Sequence, residues 1–210
     1  MNWLDHYRTT YYPLLNINAS GAENILAPGL YNRAIGFDIM WRLLLNQKSA
    51  DFNIIETGTL RTPNNWTDGQ SAALFTRFVE QHSGHVRSVD IDPEACKTAQ
   101  TFIASQHFDV SCGDSVAWLA QQQDLHLVDL FYLDSYDVDW NNDSASAEHH
   151  LQEFKIIEPY LKPGTVVALD DNSRWVNNNC RTGKGRAVVE YLESRRQFPI
   201  YDEYQIIFQF

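Results

Sequence analysis

The sequence has little cysteine. Only Cys96, Cys112 and Cys180 occur in 210 residues, far apart and without a C-x-x-C pair. That excludes a disulfide framework and a cysteine zinc site, and fits a reducing compartment. Positive charge is also scarce. Lys and Arg number 16 against 27 Asp and Glu, a formal net charge of -11. Such a surface repels phosphate backbones, so no nucleic-acid partner is expected. The opening residues, MNWLDHYRTTYY, have neither the basic nor the apolar region of a signal peptide, and no apolar run reaches membrane-spanning length. The expectation is a soluble, cytoplasmic protein with no membrane partner. Internal repeats, low-complexity tracts and a compact G-x-G-x-x-G are missing too.

What is present suits one globular domain, with 44% hydrophobic residues. Residues 1–50 read as a helical extension or lid ahead of a domain at 51–210. Tyr7, Tyr11 and Tyr12 fall in an N-terminal helix that packs on the domain or covers a small-molecule site. Residues 16–29 are rich in Asn, Ala and Gly and read as loop. Ile35, Phe37, Ile39, Met40, Leu43 and Leu44 predict an amphipathic helix over 31–45.

The stretch 52–71, FNIIETGTLRTPNNWTDGQS, is the organising one. A short apolar strand ends in Glu56 and Gly58, a polar loop follows, and Gly69-Gln70-Ser71 opens a helix. Open α/β folds build ligand crevices from such strand-to-helix turns, where glycine admits close approach and the helix start offers free N–H groups. Beyond it, strands are expected at 86–91, 108–111, 127–133, 165–169 and 204–210. Helices are expected at 70–82, 93–106, from 115 onward, at 145–161 and at 184–196. Asp92 and Asp114 read as helix N-caps. The alternation argues for an α/β domain with a doubly wound, mostly parallel sheet. Only residues 198–210 remain for a sixth and seventh strand, so one must be very short or missing.

Acidic groups fall at five successive strand ends: Glu56, Asp90, Asp114, Asp134, and Asp171 with Asn172. Carboxylates crowded on one rim repel one another, which caps and turns do not explain for Glu56 or Asp134. An acid ending the second strand suits the two hydroxyls of a ribose. Asp134, Asp171 and Asn172 offer hard oxygen ligands suited to Mg²⁺, Mn²⁺ or Ca²⁺.

The ordered pieces IIETG…DGQSA, SVDIDPEA, CGDS, DLFYLDSYD and LKPGTVVALDDN resemble the class I S-adenosylmethionine-dependent methyltransferases. They look most like the metal-dependent O-methyltransferases of the catechol O-methyltransferase type and their macrolide-sugar relatives, and cover roughly residues 54–172. The resemblance implies a Rossmann-like methyltransferase fold. It places Glu56 and Gly58 along the methionine part of the cofactor, Gly69 and Ser71 in the same crevice at the helix start, and Asp90 on the ribose. Asp114 and Ser115 would lie beside the adenine. Asp134 would border the cofactor and, with Asp171 and Asn172, hold the metal. The implied activity is metal-assisted methylation of a hydroxyl group on a small molecule; a homo-oligomer is compatible with it.

Two departures stand out. The loop between Gly58 and Gly69 is long, with Arg61, Asn64, Asn65, Trp66 and Asp68; it folds over the ligand or is a surface excursion with Trp66 tucked in. Where the catechol-type enzymes have a lysine base, three residues after the first metal ligand, this chain has Asp137. Base candidates are therefore Asp137, His149 and His150, of which at most one histidine faces the site. Glu153 reads as solvated. Arg181, Lys184 and Arg186 read either as a wall for an acidic substrate group or as a solvated loop, and Trp140 and Trp175 either shape a pocket or pack. Rival readings are a metal-dependent hydroxylase or other tailoring enzyme on this fold, and a non-catalytic adenosyl-cofactor-binding module. An NAD-dependent dehydrogenase fits less well, for want of the glycine signature.

Overall fold

The computed structural model describes residues 2–17, 33–66, 70–177 and 180–210. Its centre is a seven-stranded sheet. The strands β1 (Phe52–Thr57), β2 (Gly84–Asp90), β3 (Phe108–Cys112), β4 (Leu130–Leu133) and β5 (Val166–Leu169) pair in parallel, and β8 (Tyr201–Asp202) and β9 (Ile206–Gln209) close one edge antiparallel. The order is β3-β2-β1-β4-β5-β9-β8. The chain reverses direction of growth between β1 and β4, which opens a crevice at their carboxyl ends. The expected short strand is β8, two residues long.

Both sheet faces are buried, so β4 and β5 are apolar throughout. Side chains alternate between two cores. Ile54, Leu130, Tyr132, Val166 and Ala168 face one; Ile55, Phe131, Leu133, Val167 and Leu169 face the other. The first is covered by α3 (Arg33–Gln47) and α4 (Ser71–His82), with α5 (Pro93–Ile103) beside them. The second is covered by α6 (Ser115–Gln121), α7 (Ser144–Ile157) and α8 (Arg186–Glu193). Asp92 and Asp114 cap α5 and α6 as expected, accepting from Glu94 N and Ala117 N.

Helices α1 (Trp3–Thr10) and α2 (Tyr12–Ile17) lie on α3. Trp3 meets Trp41 edge-on at 5.4 Å, Trp41 stacks on Phe78 at 4.8 Å, and the buried Tyr7 hydroxyl donates to Ala34 O at 2.7 Å. This aromatic mass fixes the N-terminal helices by packing. Trp66 packs on Tyr11, at 5.9 Å between rings. The loop expected at 16–29 lies mostly outside the described residues.

Two expectations change. The fourth strand begins at Leu130, not Leu127: Leu125–Leu127 is a 3-10 turn with Leu127 half-exposed. Asp129 ends that turn by accepting from Asn53 N at 2.8 Å and pairing with Lys48 at 2.8 Å. The polar segment around residues 172–183 is a hairpin, β6 (Asn172–Asn177) with β7 (Cys180–Gly183), and not a loop.

Candidate active site

Two cavities meet at the carboxyl ends of β1, β2 and β4. One, of ≈ 460 Å³, is lined by Val89, Gly113, Asp114, Ser115 and His149. The other, of ≈ 1000 Å³, is lined by Gly58, Thr59, Leu60, Arg61, Ser71, Asp92, Asp134 and Asp137. Asp90, Ile91, Ser135 and Tyr136 line both, so the two form one elongated crevice.

Gly58 makes the strand ends converge. Its N–H donates to Val89 O at 2.7 Å, its φ is +84°, and an added Cβ would stand 2.6 Å from Asp134 O. Only glycine permits that approach. Glu56 is 1% exposed at the end of β1. Its Oε2 accepts from Ser88 Oγ at 2.6 Å, and its Oε1 has no partner among the described residues. Burial, opposed by the neighbouring Ser71 and Ser88 hydroxyls, pushes its carboxyl up to about 8. Asp90 accepts from Thr59 N at 3.0 Å and Asp92 N at 2.9 Å, one bond on each oxygen. Each oxygen keeps a lone pair for a ligand hydroxyl. Glu56 itself lines neither cavity and does not reach the crevice; a close-packed glycine turn and a half-used carboxylate fit an adenosyl cofactor. Gly69 lies outside the described residues.

The narrow end is built around Glu153, which is fully buried rather than solvated. Glu153 accepts from Thr57 Oγ1 at 3.1 Å and Ser135 Oγ at 2.7 Å, and His149 Nε2 stands 3.4 Å away. Burial alone would raise its carboxyl; His150, His149, Ser115 and Ser135 outweigh burial and hold it low. His149 Nε2 also lies 2.8 Å from Ser115 Oγ, and its ring leans on Tyr136 at 5.4 Å. The Glu153 hydrogen bond raises the His149 imidazole against partial burial. His149 is therefore at the Ser115 end of the crevice, away from Asp134. His150 is fully buried and lines neither cavity. Its Nδ1 donates to Ser146 O at 2.7 Å, and burial, opposed by Glu153, pushes it down to about 4. It does not reach the crevice, which removes it as a base. Asp137 does line the wide cavity, but it is exposed at the lip and paired with Arg61 at 3.0 Å.

The corner expected to hold a metal contains two cations of the protein itself. Lys184 Nζ lies 2.5 Å from Asp134 Oδ1, 2.8 Å from Asp171 Oδ2 and 3.2 Å from Asp134 O, with its side chain 2% exposed. Arg33 Nε donates to Asp170 Oδ2 at 2.8 Å, and its other nitrogen reaches Asp171 Oδ1 and the Tyr204 hydroxyl. Tyr204 in turn donates to Asp171. Burial disfavours the Lys184 ammonium, yet Asp134 and Asp171 outweigh it and raise its pKa. Burial likewise raises Asp134 and Asp171. For Asp171, Lys184 and Arg33 win and hold it far below the usual range; for Asp134 the balance stays upward, with Asp170 and Asp171 opposing Lys184. Asn172 is committed elsewhere. Its Nδ2 donates to Leu169 O and Asp170 O at 2.9 Å each, and its Oδ1 accepts from Gly185 N at 2.6 Å. Asp134, Asp171 and Asn172 in this arrangement do not fit a divalent cation. Among the described residues no cluster of three His, Cys, Asp or Glu side chains has metal-binding geometry.

Arg181 and Arg186 do not form a substrate wall either. Arg181 pairs with Asp202 at 2.5 Å and Glu193 at 3.3 Å, and Arg186 with Asp143 at 3.0 Å. Trp140 lines neither cavity, and the Trp175 side chain lies outside the description. Sequence reasoning missed Arg33, Lys184 as a buried ion and Glu153. Only Glu153 carried a local signal, its spacing of three and four residues from the two histidines.

The sequence matches the methyltransferase domain family over residues 66–172. Among solved structures, an apo enzyme of calicheamicin biosynthesis, TDP-rhamnose 3'-O-methyltransferase CalS11, is similar at 16% identity and TM-score 0.55, over 99% of this chain and 91% of that one. The N-methyltransferase NodS from Bradyrhizobium japonicum gives 16% and 0.51 over 85% and 94%. MycE methyltransferase of the mycinamycin pathway, in complex with Mg and SAH, gives 12% and 0.53 over 95% of this chain and 55% of that one. A search of curated protein sequences returned no match.

Proposed function

This chain belongs to the methyltransferase domain family, as an S-adenosylmethionine-dependent enzyme, and we propose that it methylates a hydroxyl group of a small molecule, a sugar hydroxyl being the first class to test. The observation that carries this is the Asp134 carboxylate. It lines the wide end of the crevice beside Gly58, where the ends of β1 and β4 touch. A carboxylate there suits an acceptor that must lose a proton as it is methylated. The solved sugar O-methyltransferase among the similar folds supports the choice of acceptor class.

The residues divide the work. Asp90 accepts from ribose hydroxyls, and Gly58 and Ser71 border the methionine part. Ser115, Tyr136 and His149 enclose the nucleoside end. S-adenosylmethionine, when bound, supplies a methyl group whose bond to sulfur breaks as the bond to the acceptor oxygen forms. Asp134 takes the proton from that oxygen, and Arg61 and Asp137 at the lip orient the acceptor. Alignment by the crevice walls supplies much of the rate. No step runs through a metal.

The test is a transfer assay with methyl-labelled S-adenosylmethionine against sugars, nucleotide sugars and phenols, with amines as a counter-set. Label is expected in an ether-linked product. Label appearing only on amines would overturn the hydroxyl assignment.

A further inference from the structure

We propose that Lys184 is the resident cation of this site: its ammonium takes the place between Asp134 and Asp171 where a divalent metal would bridge them, and it positions Asp134 without one. This rests on the function proposed above and deepens it.

The position is built. Gly183, Lys184 and Gly185 are each tied by a backbone bond. Gly183 N donates to Asp143 Oδ2 at 2.8 Å, Lys184 N to Asp171 O at 3.2 Å, and Gly185 N to Asn172 Oδ1 at 2.6 Å. Gly183 has φ +118°, and a Cβ there would stand 2.2 Å from Asp171 O. The hairpin thus drives Lys184 into the corner from a segment about 50 residues beyond Asp134 in sequence. One oxygen of each acid, Asp134 Oδ1 and Asp171 Oδ2, lies on Nζ. Magnesium wants near-octahedral oxygen ligands at about 2.0–2.1 Å. It cannot share the space with a buried ammonium, and the Asn172 oxygen is already on Gly185 N. Lys184 does not line the crevice, so it acts on the acceptor only through Asp134. It is a positioning residue.

The experiment measures Mn²⁺ binding, by the loss of the free-ion electron paramagnetic resonance signal, in four proteins: wild type, Lys184→Ala, Lys184→Met and Lys184→Ala with Asp134→Asn. S-adenosylhomocysteine titration of each reports folding and the cofactor crevice separately. Wild type is expected to bind no equivalent of Mn²⁺ up to about 1 mM, and chelator to leave its S-adenosylhomocysteine affinity unchanged. Lys184→Ala vacates the ammonium and is expected to gain at least about a tenfold Mn²⁺ affinity, lost again in the double variant. Lys184→Met tests charge with the volume kept. One Mn²⁺ bound by wild type, or no gain in a Lys184→Ala protein that still binds S-adenosylhomocysteine, overturns the proposal. The wild-type arm stands even if the variants do not fold. Absence of S-adenosylhomocysteine binding in wild type is a different failure, that of the methyltransferase reading.

Discussion

Glu56 offers the sharpest pH prediction. Its carboxyl sits at about 8 in the folded chain, raised by burial above an ordinary 4.5. The folded state therefore holds the Glu56 proton more tightly than the unfolded state. The stabilisation is fully present below pH 4.5 and is lost as pH rises through 8. Between pH 5 and pH 7 this one group removes about 2–3 kcal/mol, a sizeable share of a typical 5–15 kcal/mol. Glu56→Gln keeps the shape and the Ser88 bond but cannot ionise. Urea unfolding of both proteins at half-unit steps from pH 5 to pH 8 isolates Glu56, because other groups cancel in the difference. Wild type should lose about 2–3 kcal/mol more than the variant from pH 5 to pH 7. Parallel curves, within about 0.5 kcal/mol, refute the argument that Glu56 is buried without full compensation.

Two further outcomes follow from the geometry. Gly183→Ala forces a Cβ against Asp171 O at a positive φ that L residues avoid, and should cost at least about 3 kcal/mol in denaturant unfolding; a loss under about 1 kcal/mol would show that the hairpin is free to shift. With an acceptor in hand, Asp134→Asn should lower kcat by about 100-fold or more and Asp137→Asn by less than about 10-fold, since Asp137 is an exposed partner of Arg61; the reverse ranking moves the base to the lip.

The layered fold was readable because its signals are local. Apolar runs of strand length and the helix-capping Asp92 and Asp114 each report on a few neighbouring residues. The five acidic strand ends were readable for the same reason, since a parallel sheet puts every carboxyl end on one rim. Charge pairing across the fold was not. Arg33 meets Asp170 across 137 residues and Lys184 meets Asp134 across 50, so Asp134 and Asp171, two acids that read as ligands for an added cation, turned out to hold cations of the chain. The hairpin around Cys180 hid behind an Asn-rich sequence whose polar residues look like loop. Glu153 hid because a helix position looks solvated until its partners Thr57 and Ser135 arrive from the strand ends.

The central claim, a cofactor crevice centred on Asp90, is tested most directly by calorimetric titration of S-adenosylhomocysteine into wild type and Asp90→Asn. One equivalent should bind saturably to wild type, and about 10- to 100-fold more weakly to the variant, the loss of about 1–3 kcal/mol expected for hydrogen bonds to a charged acceptor. No saturable binding to wild type, or equal affinity in both proteins, would contradict the account.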